Sequence, residues 1–119
     1  MSAVVLPEKV NLRVAVNGAA MFEYLTIGRM NGHTLRVLQV ENRTLDFHTH
    51  ETSDELFYVM EGAFSIEFEE GAVSLNAGDM LIIPKGIRHR PVVTECVKCL
   101  LIELDGTLDA GNTGGGIVT

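Results

Sequence analysis

His48 and His50 stand two residues apart in the stretch HTHETSDE, which Glu55 closes. A further histidine, His89, follows the turn Pro84-Lys85-Gly86. Neutral imidazole and carboxylate are good ligands for first-row divalent ions. Three nitrogens and one oxygen leave one or two positions open on a five- or six-coordinate ion, which is where water or a substrate binds at catalytic metal sites. A single carboxylate leaves a divalent ion net positive and able to polarise a bound oxygen. Taken alone, the H-x-H pair is also what an ordinary polar loop contains. Glu51 and Asp54 are most simply solvated acids, or groups that orient a ligand from behind. His33 has no partner at metal spacing and reads as structural.

These side chains need a framework, and the chain supplies short strands broken by turn residues. The runs 24–30 and 33–41 flank Asn31-Gly32, a strong hairpin signal because a type I′ turn needs positive φ at both central positions. Strands are expected over 55–60 and 63–68, around Glu61-Gly62. Phe64, Ile66 and Phe68 alternate with Ser65, Glu67 and Glu69, giving one apolar face and one wet face. Further strands are expected over 72–75, 80–83, 87–93 and 96–104. About eight strands at this spacing read as an all-β sandwich or barrel. Glu55, Phe57 and Val59 then share one face, and His89 shares parity with Ile87, Pro91 and Val93. The spacing permits the three imidazoles and the carboxylate to converge inside such a barrel. Phe57 and Val59 read equally as pocket wall and as plain core.

Residues 1–21 form an N-terminal arm, extended or a short helix. Pro7-Glu8-Lys9 suits a helix start, whereas Val10, Leu12, Val14 and Val16 alternate like a strand, and the balance tips to extended structure. Residues 22–104 form the barrel domain. Residues 105–119 are a Gly-rich tail that lacks the strand–loop–helix context of a phosphate loop.

The composition narrows the partners. The 119 residues carry a net charge of −7 and no basic run. Nucleic acid is not an expected partner, because its binding draws on clustered Lys and Arg. No apolar run approaches the roughly 20 residues that span a bilayer, and the start has no secretory-signal pattern. The expectation is a cytoplasmic protein with no membrane partner. Cys96 and Cys99 form a C-x-x-C, yet residues three apart on a strand point to opposite faces. That suits neither a disulfide nor shared chelation, so two free thiols are expected.

The chain resembles the cupin superfamily. Its first motif reads G-x5-H-x-H-x3,4-E-x6-G, and His48, His50, Glu55 and Gly62 fall on it. Its second reads G-x5-P-x-G-x2-H-x3-N, and Gly78, Pro84, Gly86 and His89 fall on it. Asn42 stands in place of the first Gly, where Asn tolerates positive φ, and Val93 stands in place of the final Asn. The segments ELFYVMEGAFSIEF and LIIPKGIRHRPV are similar to small single-domain cupins often described as like mannose-6-phosphate isomerases. The resemblance implies a jelly-roll barrel, the double-stranded β-helix. It also implies one divalent transition metal ion (iron, manganese, nickel, zinc or copper) held by His48, His50, Glu55 and His89, and a homodimer formed through outer-sheet strands.

Two functions are compatible with that site. One is a metal-dependent enzyme, isomerase or dioxygenase in type, acting on a small oxygen-bearing molecule. The other is a non-catalytic module that binds or senses a small ligand. No general acid or base is identifiable from the sequence.

Overall fold

The computed structural model describes residues 5–107. The described chain opens with α1 (Leu12–Gly18) and continues as nine strands. They are β1 (Leu25–Met30), β2 (His33–Val40), β3 (Arg43–Thr44), β4 (Glu55–Glu61), β5 (Ala63–Phe68), β6 (Gly71–Asn76), β7 (Met80–Ile83), β8 (His89–Val93) and β9 (Val97–Leu104). One sheet has the order β1-β2-β9-β4-β7 and the other β3-β8-β5-β6, with every pairing antiparallel. The two sheets close over a common core as a jelly-roll barrel.

Period-two patterning sets what faces inward. On β4 the buried side chains are Glu55, Phe57 and Val59, and on β9 they are Val97, Cys99, Leu101 and Glu103. Register aligns the two strands as Glu55↔Glu103, Phe57↔Leu101 and Val59↔Cys99, so these residues line one interior wall. Phe64 and Ile66 of β5, Leu75 of β6, Ile83 of β7 and Val93 of β8 complete the apolar filling. Burying a side chain such as Leu101 contributes on the order of 2 kcal/mol.

Turn chemistry fixes the strand ends. Asn31 and Gly32 both adopt positive φ, at 51° and 77°, and join β1 to β2 as the hairpin signal requires. Gly62 sits at φ 81°, and a Cβ there would lie 2.3 Å from the Cys96 carbonyl oxygen. Only glycine fits that close approach between the β4–β5 turn and the start of β9. Cys96 is exposed, Cys99 is buried, and both are free thiols.

The N-terminal arm corrects the sequence reading. Residues 12–18 are helical rather than extended, because Asn11 caps the segment and its side chain accepts a hydrogen bond from Val14 N at 3.0 Å. The apparent alternation did not mark a buried face: Val10 and Val14 are exposed, and Val16 alone is buried in the helix. Gln39 of β2 anchors the helix end, its Nε2 donating to the Val16 and Ala19 carbonyls at 3.3 and 2.6 Å. The last two strands, β8 and β9, also start later than their sequence pattern. Ile87 belongs to the turn, its N–H donating to the Pro84 carbonyl at 3.3 Å, and is exposed. The Gly-rich tail lies, from residue 108 onward, outside the described residues. No helix among the described residues is long and apolar enough to cross a membrane.

Candidate metal centre

His48 and His50 lie on the irregular segment between β3 and β4, not on a regular strand. Pairing holds the segment in place all the same. His48 N donates to the His89 carbonyl and His89 N to the His48 carbonyl, each at 2.9 Å. Two residues on, the His50 carbonyl accepts from Gly86 N at 2.9 Å, and the Asp54 carboxylate accepts from Lys85 N at 2.9 Å. The HTHETSD stretch therefore grips the whole Pro84–His89 turn. Asp54 serves this turn rather than standing as a plain solvated acid. On the outer side the Phe47 ring lies 4.6 and 4.5 Å from the guanidinium carbons of Arg88 and Arg90, a cation–π clamp on the same segment.

The structure brings together all four residues singled out in the sequence. Ring centroids are 5.0 Å apart for His48 and His50, 4.5 Å for His48 and His89, and 5.6 Å for His50 and His89. Glu55 enters from β4, with Oε1 3.1 Å from His89 Nε2 and Oε2 3.5 Å from His50 Nε2. Metal–ligand bonds of about 2.1 Å place neighbouring donors roughly 3 to 3.5 Å apart, so this spacing suits a first-row ion. His33 stays outside, its Nδ1 donating to the Asn31 carbonyl at 3.1 Å in the hairpin.

Backbone carbonyls set the tautomers. His48 Nδ1 donates to the Asp46 carbonyl at 2.8 Å, and His89 Nδ1 donates to the Ile87 carbonyl at 2.9 Å. A carbonyl only accepts, so each Nδ1 carries its proton and each neutral ring keeps Nε2 as its ligating atom. His50 differs: both of its ring nitrogens are buried without a hydrogen bond. So is Glu55 Oε2. Burying polar atoms without partners costs on the order of 1–3 kcal/mol each. A cation bound between them would satisfy one His50 nitrogen and Glu55 Oε2, and the donor set fits a divalent ion.

The electrostatics are consistent with ligation. Burial lowers the His50 pKa to about 4, helped by the neighbouring His48 and His89. The imidazole is therefore neutral and ready to ligate at neutral pH. Burial raises Glu55 to about 8, partly offset by a hydrogen bond with Glu103.

Glu103 was not singled out from the sequence. It is fully buried on β9, directly across from Glu55, and its pKa is pushed up to about 9 by burial first and then by the Glu55 charge and hydrogen bond. Arg36 and His89 pull it down. Burial drives both adjacent carboxyls toward their protonated forms. The parity of Val97, Cys99, Leu101 and Glu103 on one apolar strand was the available signal for Glu103. His50, Glu55 and Glu103 form a second group of donors close enough to hold an ion, overlapping the group of His48, His50 and His89.

Along the same wall, Phe57, Phe64, Pro91 and Val93 line a cavity of about 20 Å³ whose rim carries Tyr24 and Arg43. That is room for about one water molecule. Val93, at the position where the second motif expects Asn, is part of this apolar lining. Asn42, in place of the first motif glycine, adopts positive φ (45°), so the backbone demand is met without glycine.

The architecture is a double-sheet jelly roll that encloses a buried cluster of histidines and carboxylates with the donors to hold a metal ion. Comparison with known proteins agrees: a family model described as "Cupin domain" matches residues 35–104. The chain belongs to the cupin family. The solved cupin-2 domain protein of Shewanella frigidimarina NCIMB 400 is 35% identical, with a TM-score of 0.68, over 72% of this chain and 83% of that one. Protein NMB1881 of Neisseria meningitidis has a TM-score of 0.72 at 25% identity, over 82% of this chain and all of that one (100%). Among curated proteins, the uncharacterized protein YdbB of Bacillus subtilis (strain 168) is 44% identical over 66 residues, 55% of this chain. The match spans 58% of YdbB's length.

Proposed function

We propose that His48, His50, Glu55 and His89 hold one divalent transition metal ion, and that the protein is a metal-dependent enzyme acting on a small oxygen-bearing molecule. The observation that carries this reading is the convergence of the four side chains, with His48 and His89 locked as Nδ1–H tautomers by backbone carbonyls. Bound there, the ion would supply Lewis-acid polarisation of a ligand oxygen, or an open position for oxygen itself, which correspond to isomerase and dioxygenase chemistry. The protein's own residues do the rest. His50 is held neutral, Glu55 brings the one charge of the set, and the Phe57 wall limits water. Glu103 stands beside Glu55, where it can hold a proton.

A second reading, a non-catalytic module that binds a small ligand, draws support from the narrow lumen beyond Phe57, whose cavity of about 20 Å³ leaves little room for a large substrate. One experiment separates the two. The protein is loaded in turn with iron, manganese, nickel, zinc and copper, and oxygen uptake and sugar-phosphate interconversion are followed. Turnover that disappears in His50→Ala supports the enzyme. Ligand-dependent thermal stabilisation without turnover supports the module.

The outer face of the five-stranded sheet supports a homodimer. Register aligns Leu35↔Ile102↔Leu56↔Ile82 in one row and Val37↔Leu100↔Tyr58↔Met80 in the next. Apart from Val37, which is already buried within the chain, these apolar rows, with Met80 and Ile82 exposed, are what a self-complementary interface needs. The free thiols Cys96 and Cys99 suit a reducing compartment such as the cytoplasm.

A further inference from the structure

Arg36 lies on β2 between Leu35 and Val37, and register carries its side chain to the interior. Its partner on β9 is Leu101, which pairs on to Phe57 of β4, and all three share the face that carries Glu103 and Glu55. An arginine on an inner barrel wall is unusual, because a guanidinium stays charged at any physiological pH and is costly to bury. Its Nη1 is buried and has no hydrogen-bond partner, and no carboxylate among the described residues forms an ion pair with it. The residue is only partly buried, so it stands where the interior meets solvent. It lies diagonally across from Glu103, close enough for its charge to act on that carboxyl.

A fixed cation with an unmet donor, on the wall that also carries Glu103 and Glu55, suits an anionic group on a ligand. We propose that Arg36 binds the carboxylate of a small carboxylic acid whose other oxygen reaches the metal centre. The planar guanidinium fork matches a carboxylate with two parallel N–H···O bonds, a geometry that a neutral amide cannot reproduce. A compact hydroxy- or oxo-carboxylate carries the two kinds of oxygen these two anchoring points require. The ligand class rests on the metal reading for its second anchor, whereas the role of Arg36 does not.

The test uses zinc-loaded protein and three probes: glycolate, its neutral counterpart glycolamide, and inorganic phosphate. Affinities are read by calorimetry, and fold and zinc content are checked for every variant. Arg36→Gln is expected to weaken glycolate by roughly tenfold or more, with glycolamide affinity and zinc content unchanged. Arg36→Lys keeps the charge but not the fork and should fall between. The proposal is overturned if Arg36→Gln, folded and zinc-loaded, binds glycolate as the wild type does. It is also overturned if wild type binds no glycolate, or binds phosphate more tightly through Arg36. Should the wild type hold no zinc and still bind glycolate in an Arg36-dependent way, the metal reading fails and this one stands.

Discussion

His48 and His89 exchange two backbone hydrogen bonds, each 2.9 Å long, across the gap between the two cupin motifs. The same two residues fix their rings by Nδ1 bonds to the carbonyls of Asp46 and Ile87. One short bridge thus sets both the separation of two imidazoles and the nitrogen each presents. His50 and Glu55 follow from it, because the same segment runs on through the Gly86 and Lys85 contacts into β4.

Removing one ligand should therefore abolish metal binding without unfolding the barrel. His50→Ala and His89→Ala are each expected to weaken zinc by more than about 100-fold, beyond the loss typical of an outer-shell partner. His33→Ala serves as the control and should retain full affinity. Competition with a chromogenic chelator measures all three. Equal affinity in His33→Ala and His89→Ala would remove His89 from the site.

Metal uptake should release a proton. Glu55, with a pKa of about 8 in the metal-free protein, is mostly protonated at pH 7 and must lose that proton to ligate. His50, at about 4, is already neutral and contributes none. Calorimetry at pH 7 in buffers of different ionisation enthalpy should report about one proton released per zinc. Release should vanish near pH 9.5. No release at pH 7 would show that Glu55 is ionised before the ion arrives.

The same shifts set the stability of the metal-free protein. Glu55 and Glu103 have folded pKa values raised above the unfolded value of 4.5, so their contribution is full below that value and lost as pH rises through about 8 and 9. His50 is lowered, so its contribution grows as pH rises from about 4 to 6.5 and is constant above. Between pH 6.5 and 9 the carboxyls act alone, and the melting temperature of metal-free protein should fall. Zinc should flatten the fall, since it favours the ionised carboxylate. A melting temperature that rises over this range would contradict the burial of the pair.

Much of this site was legible in the sequence because two motifs carry its four clustered side chains at fixed spacing, and the turn residues Gly62, Gly78, Pro84 and Gly86 mark where strands end. Glu103 and Arg36 were not legible as site residues. Each sits on an apolar strand with no motif around it, and only the register of β2, β9 and β4 shows that they share the inner face with Glu55. The N-terminal arm reads as extended or as a short helix for a local reason: its valines alternate as on a strand, while the Asn11 cap decides the backbone for the helix.

Gly62→Ala should be costly, because its Cβ would meet the Cys96 carbonyl at 2.3 Å and the backbone holds positive φ. A loss of about 1–3 kcal/mol, or roughly 5 to 15 °C in melting temperature, is expected. Gly28→Ala, where a Cβ meets nothing within 4 Å, should change little. Similar melting temperatures for the two variants would show that the β4–β5 turn is not so tightly packed on β9.

Charge on the outer sheet should separate the proposed dimer. Met80→Lys and Ile82→Glu place ionised groups in the two apolar rows without touching the interior. Sedimentation equilibrium should show wild type at twice the chain mass and the double variant at the chain mass. Wild type at the chain mass would leave those rows without a second copy.

X-ray absorption spectroscopy of the zinc-loaded protein tests the central claim most directly. The account predicts about one zinc per chain, bound by three imidazole nitrogens and one carboxylate oxygen at roughly 2.0 to 2.2 Å. A spectrum without imidazole scattering, or a loaded protein that retains no stoichiometric zinc, would contradict it.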